Sequence, residues 1–275
     1  MGNTFSWTTA DGIDIYGIDW PTENAKAIVC IVHGLGEHIH RYEHLVDYFH
    51  KNNIAVIGYD RRGHGRSKGK KGHTISYDAF LDEVDHLLVE AKKRYPALPV
   101  FLYGHSMGGN IVLNFILDRS PAVNGVIATV PHIRLSFQPS RITLALGKIM
   151  KNIYPGFSQA SGLDANLLSK DTKVVEAYKK DPYVHNKITA ITGLGMLDKA
   201  DVLDQYIGAF PVPLLIMHGS FDGVTCPEGS KDFAARVKGD ITLKIWNELY
   251  HEIHNEAEQE LVFATIIEWI NDRFF

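Results

Sequence analysis

Five stretches of this chain are apolar almost from end to end, and most of what separates them has the period of a helix. The stretches are "AKAIVCIVHG" (25–34), "IAVIGYD" (54–60), "VFLYG" (100–104), "GVIATV" (125–130) and "VPLLIMHG" (212–219). A strand with one wet face alternates apolar and polar residues; a strand without a polar face must be covered on both sides. Residues 42–52, 77–95 and 108–119 read as helices, and in the second Tyr77, Phe80, Leu81, Val84, Leu87, Leu88 and Ala91 share one stripe. Past residue 219 the alternation continues with a helix near 228–237, the strand "ITLKIW" (241–246) and a last helix over about 256–273. Strands alternating with helices predict a mostly parallel central sheet with helices on both faces. Ahead of it, "TFSWTTADGIDIYGIDW" alternates twice about Asp11-Gly12, the signature of a hairpin at the antiparallel edge.

Residues 131–207 break the rhythm. They are helix-rich, carry no strong strand signal, and are too long for a loop in a compact domain. They read as a helical cap inserted between core segments 1–130 and 208–275. In "RITLALGKIMKNIYPGF" the residues Ile142, Leu146, Ile149 and Ile153 recur at helical spacing. That stripe reads as the packing face of the cap; the alternative is a wall of an acyl-chain tunnel or a contact with lipid.

Composition narrows the function. A net charge of −4 over 275 residues argues against a nucleic-acid-coating protein, and the basic loop "DRRGHGRSKGKKGH" reads as solvated. Two cysteines, Cys30 and Cys226, make neither a disulfide framework nor a metal site and fit a reducing compartment. The N-terminus shows no secretory pattern; its Met-Gly-x-x-x-Ser match, Gly2 to Ser6, reads as the start of a strand. No apolar run reaches membrane-spanning length. A cytoplasmic protein, peripheral at membranes through the cap, is the expectation.

"YGHSMGGN" (103–110) stands where the strand "VFLYG" meets the next helix. So abrupt a turn forces its central residue into a strained conformation and leaves no room for side chains two positions away, where Gly104 and Gly108 stand. This is G-x-S-x-G, which holds the Ser106 hydroxyl at the carboxyl edge of the sheet beside amides at a helix N-terminus. Serine needs a base and an acid to orient it, and on such a frame they follow in the order Ser, Asp or Glu, His after late strands. Asp222 in "HGSFDGV" follows "VPLLIM"; its rivals Asp198, Asp201 and Asp204 fall in the cap or its return. His251 and His254, both in "NELYHEIHNE", follow the right strand, and spacing alone leaves both open. His33 and His218 close strands, and His105 occupies the free position inside the turn. The main-chain N–H groups of Leu35, in "HGLGEH", and Met107 are the candidates for holding an oxyanion. No cofactor or metal is required.

"HGLGEHIHRYEHL", "DRRGHGRSKG", "LPVFLYGHSMGGNIVL", "HGSFDGVTCPEGS" and "YHEIHNE", in this order from about residue 25 onward, resemble the monoacylglycerol lipase and lysophospholipase-like group of the α/β-hydrolase family. The resemblance implies hydrolysis of single-chain lipid esters under a lid, with a small-molecule ester or lipid as substrate and no nucleic-acid partner. It implies Ser106, Asp222 and His251 as the triad and Leu35 and Met107 as oxyanion amides. It places Glu37, Arg41 and His254 near the substrate's polar head, and Cys226 near the active site; for Glu37 and Arg41 a local ion pair that orders the loop is the competing reading. The animal enzymes have alanine where Leu35 stands, and the cap sequence diverges. A general carboxylesterase, a serine aminopeptidase and a non-catalytic binding protein on a hydrolase frame are the alternatives.

Overall fold

The computed structural model describes residues 2–138 and 140–275. Its strands are β1 (Asn3–Thr8), β2 (Asp14–Trp20), β3 (Ala27–Val32), β4 (Ile54–Tyr59), β5 (Val100–His105), β6 (Gly125–Thr129), β7 (Ser158–Ala160), β8 (Lys187–Thr189), β9 (Leu214–Gly219) and β10 (Ile241–Trp246). Its helices are α1 (Glu43–Lys51), α2 (Asp78–Arg94), α3 (Met107–Arg119), α4 (Arg141–Ile153), α5 (Thr172–Lys180), α6 (Ala190–Gln205), α7 (Pro227–Arg236) and α8 (Gln259–Phe274).

Eight strands form one sheet in the order β1-β2-β4-β3-β5-β6-β9-β10. β1 and β2 pair antiparallel at one edge; from β4 onward neighbours run parallel. The unbroken apolar runs follow from this. In β3, Ile28, Cys30 and Val32 join the core layer under α2 and α3, whereas Ala27, Val29 and Ile31 join the opposite layer under α1 and α8. Each buried Val, Leu or Ile contributes about 1.5–3 kcal/mol, so a polar residue anywhere along β3 would cost one layer or the other.

The insertion between β6 and β9 holds α4, α5, α6 and a two-stranded antiparallel ribbon of β7 and β8. The ribbon leaves no mark in the sequence, because three-residue strands are too short to show a period. The insertion is tied to core loops: His185 N–H donates to Gly36 O (2.8 Å) and Thr189 N–H to Gly72 O (3.1 Å). His38 Nε2 lies 2.8 Å from Asp181 Oδ2.

The stripe on α4 corrects one expectation. Ile142, Leu146, Ile149 and Ile153 do not pack; they are between 53 % and 76 % exposed. α4 instead turns Thr143 and Leu144 toward an interior cavity and packs along α6.

Candidate active site

Ser106 is the only residue between the end of β5 and the start of α3. Its φ of 54° and ψ of −114° are values that a non-glycine residue adopts only when its surroundings impose them. The flanking glycines are what permit it. A Cβ on Gly104 would come within 2.5 Å of Gly108 O, and one on Gly108 within 2.0 Å of Val32 O.

β9 and β10 bring the other two candidates to the same edge. Ser106 O–H donates to His251 Nε2 at 2.9 Å. His251 Nδ1–H donates to Asp222 Oδ2 at 2.8 Å. The buried Asp222 carboxylate is fully satisfied: Oδ1 accepts from the Val224 and Thr225 amides (2.7 and 3.0 Å), and Oδ2 also from the Thr225 hydroxyl (2.7 Å) and His218 Nε2–H (3.1 Å). Burial alone would raise the Asp222 pKa, but the His251 charge and the hydrogen bonds from His218 and His251 hold it well below the usual carboxylate range. Burial likewise opposes a charge on His251, and the neighbouring Asp222 outweighs it and raises the imidazole pKa. Spacing left His254 open as a rival base. It is fully buried behind His105, stacked on Tyr42 at 4.9 Å, and burial drives its pKa well down.

Ser106 and His251 open onto a cavity of about 650 Å³ under the insertion. Gly34, Leu35, Met107 and Glu37 line its floor; Leu144, Leu163, Leu194 and Leu197 line its roof. This volume falls in the range of small-ligand sites. Arg41 and His254, expected near a substrate head, are not among the lining residues. Glu37 does line the cavity, but both of its oxygens are engaged within the protein. Oε1 accepts from Gly34 N–H (2.5 Å) and Tyr42 O–H (2.8 Å), and Oε2 from Arg41 (2.8 Å). Arg41 also forms a bidentate pair with Glu252, two bonds of 2.7 Å. Burial raises the Glu252 pKa, yet the Arg41 charge prevails and holds it at about 2. Cys226, half-buried, sits just before α7.

Sequence reasoning passed over His218, Thr225 and Glu252. In the sequence His218 reads as a strand end. Its place next to the end of β9, four residues before Asp222, is the available signal. Among the described residues no cluster of three or more His, Cys, Asp or Glu side chains is arranged to hold a metal ion.

A family model, Hydrolase_4, described as serine aminopeptidase S33, matches residues 23–258. The chain belongs to this α/β-hydrolase family. The crystal structure of the monoacylglycerol lipase of Paleococcus ferrophilus superposes on this hydrolase with a TM-score of 0.87 and 32 % identity, covering 94 % of this chain and 99 % of that one. The monoacylglycerol lipase of Mycolicibacterium smegmatis is 33 % identical over 258 residues, or 93 % of this chain and 92 % of its own. An uncharacterized abhydrolase domain-containing protein of Dictyostelium discoideum is 38 % identical over 258 residues; the match takes in 92 % of this chain but only 27 % of that larger protein. The hydrolase groups with the serine ester hydrolases. Among the described residues no helix is long and apolar enough to cross a membrane.

Proposed function

We propose that this hydrolase cleaves carboxylic esters of single-chain lipids, monoacylglycerols foremost, through an acyl-enzyme formed on Ser106. The observation that carries the reading is the continuous relay of 2.9 and 2.8 Å from Ser106 through His251 to Asp222, opening under a largely apolar roof. His251 takes the hydroxyl proton as Ser106 attacks the ester carbonyl. The oxyanion is held by the Leu35 and Met107 amides, each worth about 2.7–4 kcal/mol in comparable sites. His251 then protonates the departing alcohol, and water repeats the sequence to release the acid. Asp222 keeps the Nδ1 proton in place and offsets the imidazolium charge. Glu37, braced by Arg41, orders the loop that carries Leu35.

The exposed α4 stripe favours transient contact with a lipid surface. Lys148 and Lys151 lie on the same helix, and no acidic residue occurs between positions 133 and 163. Flotation with anionic and neutral vesicles tests this, with Ile142→Lys and Ile153→Lys together expected to abolish binding; unchanged flotation refutes it.

The function is tested by a hydrolysis profile over monoacylglycerols, diacylglycerols, lysophospholipids, short p-nitrophenyl esters and aminoacyl nitroanilides. Monoacylglycerols should lead, and a fluorophosphonate probe should label Ser106. Preference for short esters makes it a general carboxylesterase; preference for nitroanilides makes it a peptidase. No turnover and no labelling would leave a binding protein.

A further inference from the structure

Arg61 is the largest side chain fully withdrawn from solvent among the described residues. No ion pair joins it to a carboxylate among those residues; nearby Glu83 pairs instead with Arg62. A guanidinium kept in the interior without a partner is expensive, and burial pushes its pKa down. Its hydrogen bonds show what it does there. Nη2–H donates to Gly34 O at 2.5 Å, and Nη1–H meets Met107 Sδ at 3.3 Å.

The same carbonyl has a second donor. Arg61 N–H donates to His33 Nε2 at 3.0 Å, so Nε2 of that ring carries no proton. Burial and the Arg61 charge push the His33 pKa far down, which leaves the neutral ring with its proton on Nδ1. Nδ1–H therefore donates to Gly34 O at 2.8 Å. The Gly34 carbonyl is thus fixed from the core side by two donors, one of them charged. The Gly34–Leu35 peptide is trans and planar, so its N–H points the opposite way from its C=O. With the carbonyl turned into the core, the Leu35 N–H faces the cavity that Leu35 lines with Ser106 and Met107.

We propose that Arg61 is a positioning residue for the oxyanion hole, an inference that rests on the serine-esterase reading above. It locks the plane of the peptide whose N–H receives the oxyanion. By bonding the carbonyl, it polarises that peptide and strengthens the N–H as a donor. Its bond to the Met107 sulfur braces the residue that carries the other amide. Its unpaired charge also favours negative charge developing in the site.

The test compares wild type, Arg61→Met and Arg61→Lys in p-nitrophenyl butyrate hydrolysis and in binding of two inhibitors. One inhibitor is an alkyl trifluoromethyl ketone, which forms a tetrahedral oxyanion on serine; the other is the matching alkyl ether, which forms none. Arg61→Met is expected to lower kcat at least tenfold with KM within threefold, and to weaken the ketone by the same factor while the ether binds as before. Arg61→Lys, which keeps a charge but cannot reach Gly34 and Met107 together, should lose at least threefold on the ketone alone. Equal ketone affinity in wild type and a folded variant overturns the proposal, as does a parallel loss on ketone and ether. Should Arg61→Met fail to fold, Arg61→Lys decides; failure of both to fold makes Arg61 a structural residue and overturns it. An inactive wild type, or an active Ser106→Ala, sinks the esterase reading instead.

Discussion

His218 Nε2 lies 3.1 Å from the same Asp222 oxygen that accepts the His251 proton. It also lies 3.1 Å from Thr225 O, and two acceptors around one nitrogen require that nitrogen to be the donor. Ser230 Oγ, 2.8 Å from Nδ1, completes the ring's partners by donating to it. The carboxylate is thus shared between two imidazoles, of which only one meets the cavity. His218→Phe should lower kcat about tenfold, the lower end of what a hydrogen bond to a charged group is worth, with little change in KM. Relieved of one donor, Asp222 holds the His251 proton more tightly, so the acid limb of the kcat/KM profile should move to higher pH. Steady-state kinetics across pH measure both effects.

The pH dependence of the enzyme itself follows from the raised His251 pKa. The base works only when neutral, so kcat/KM should rise with pH, with a midpoint above the ordinary imidazole value of about 6.5. Asp222→Asn removes the attraction that raises it. The midpoint should fall, and kcat should drop by about four orders of magnitude as the imidazole loses its orientation.

The backbone of Ser106 stores strain that its side chain does not need. Ser106→Ala should abolish turnover, by roughly a million-fold in comparable enzymes, while the left-handed φ of 54° persists. Ser106→Gly should be equally inactive yet melt higher than Ser106→Ala, since glycine adopts that conformation freely and about 1–3 kcal/mol of strain is at stake. Equal melting temperatures for the two would contradict the strained turn.

Glu252 and Arg41 offer a test by stability. Removing one member of a buried pair costs about 3–5 kcal/mol, so Glu252→Gln should unfold at markedly lower denaturant concentration. The Glu252 pKa is depressed to about 2 in the folded protein. Its contribution is therefore complete above the ordinary carboxylate value of about 4.3 and is lost as pH falls through 2. The stability gap between wild type and variant should close over that interval, as urea melts at stepped pH would reveal.

The sheet was legible in the chain because each central strand carries two dry faces, a pattern that a helix or loop has no reason to keep. The relay was legible because Ser106, Asp222 and His251 each stand just beyond a recognisable strand. Arg61 and His33 were not legible as partners. They meet only because β3 and β4 pair in a particular register, which a separation of 28 positions along the chain does not disclose. The α4 stripe reads as packing for a related reason. Helical spacing shows that one face is apolar and is silent about what that face meets.

Gly36, one residue beyond Leu35, has a φ of 79°, and a Cβ there would fall 2.3 Å from His185 O in the insertion. Backbone of the insertion thus lies against backbone of the loop that carries the proposed oxyanion donor, with the His185–Gly36 hydrogen bond as their seam. The insertion is therefore not an interchangeable part. A graft from a relative that redraws residues 181–189 would detune the chemistry while aiming only at selectivity, whereas exchanges confined to α4 leave that seam intact.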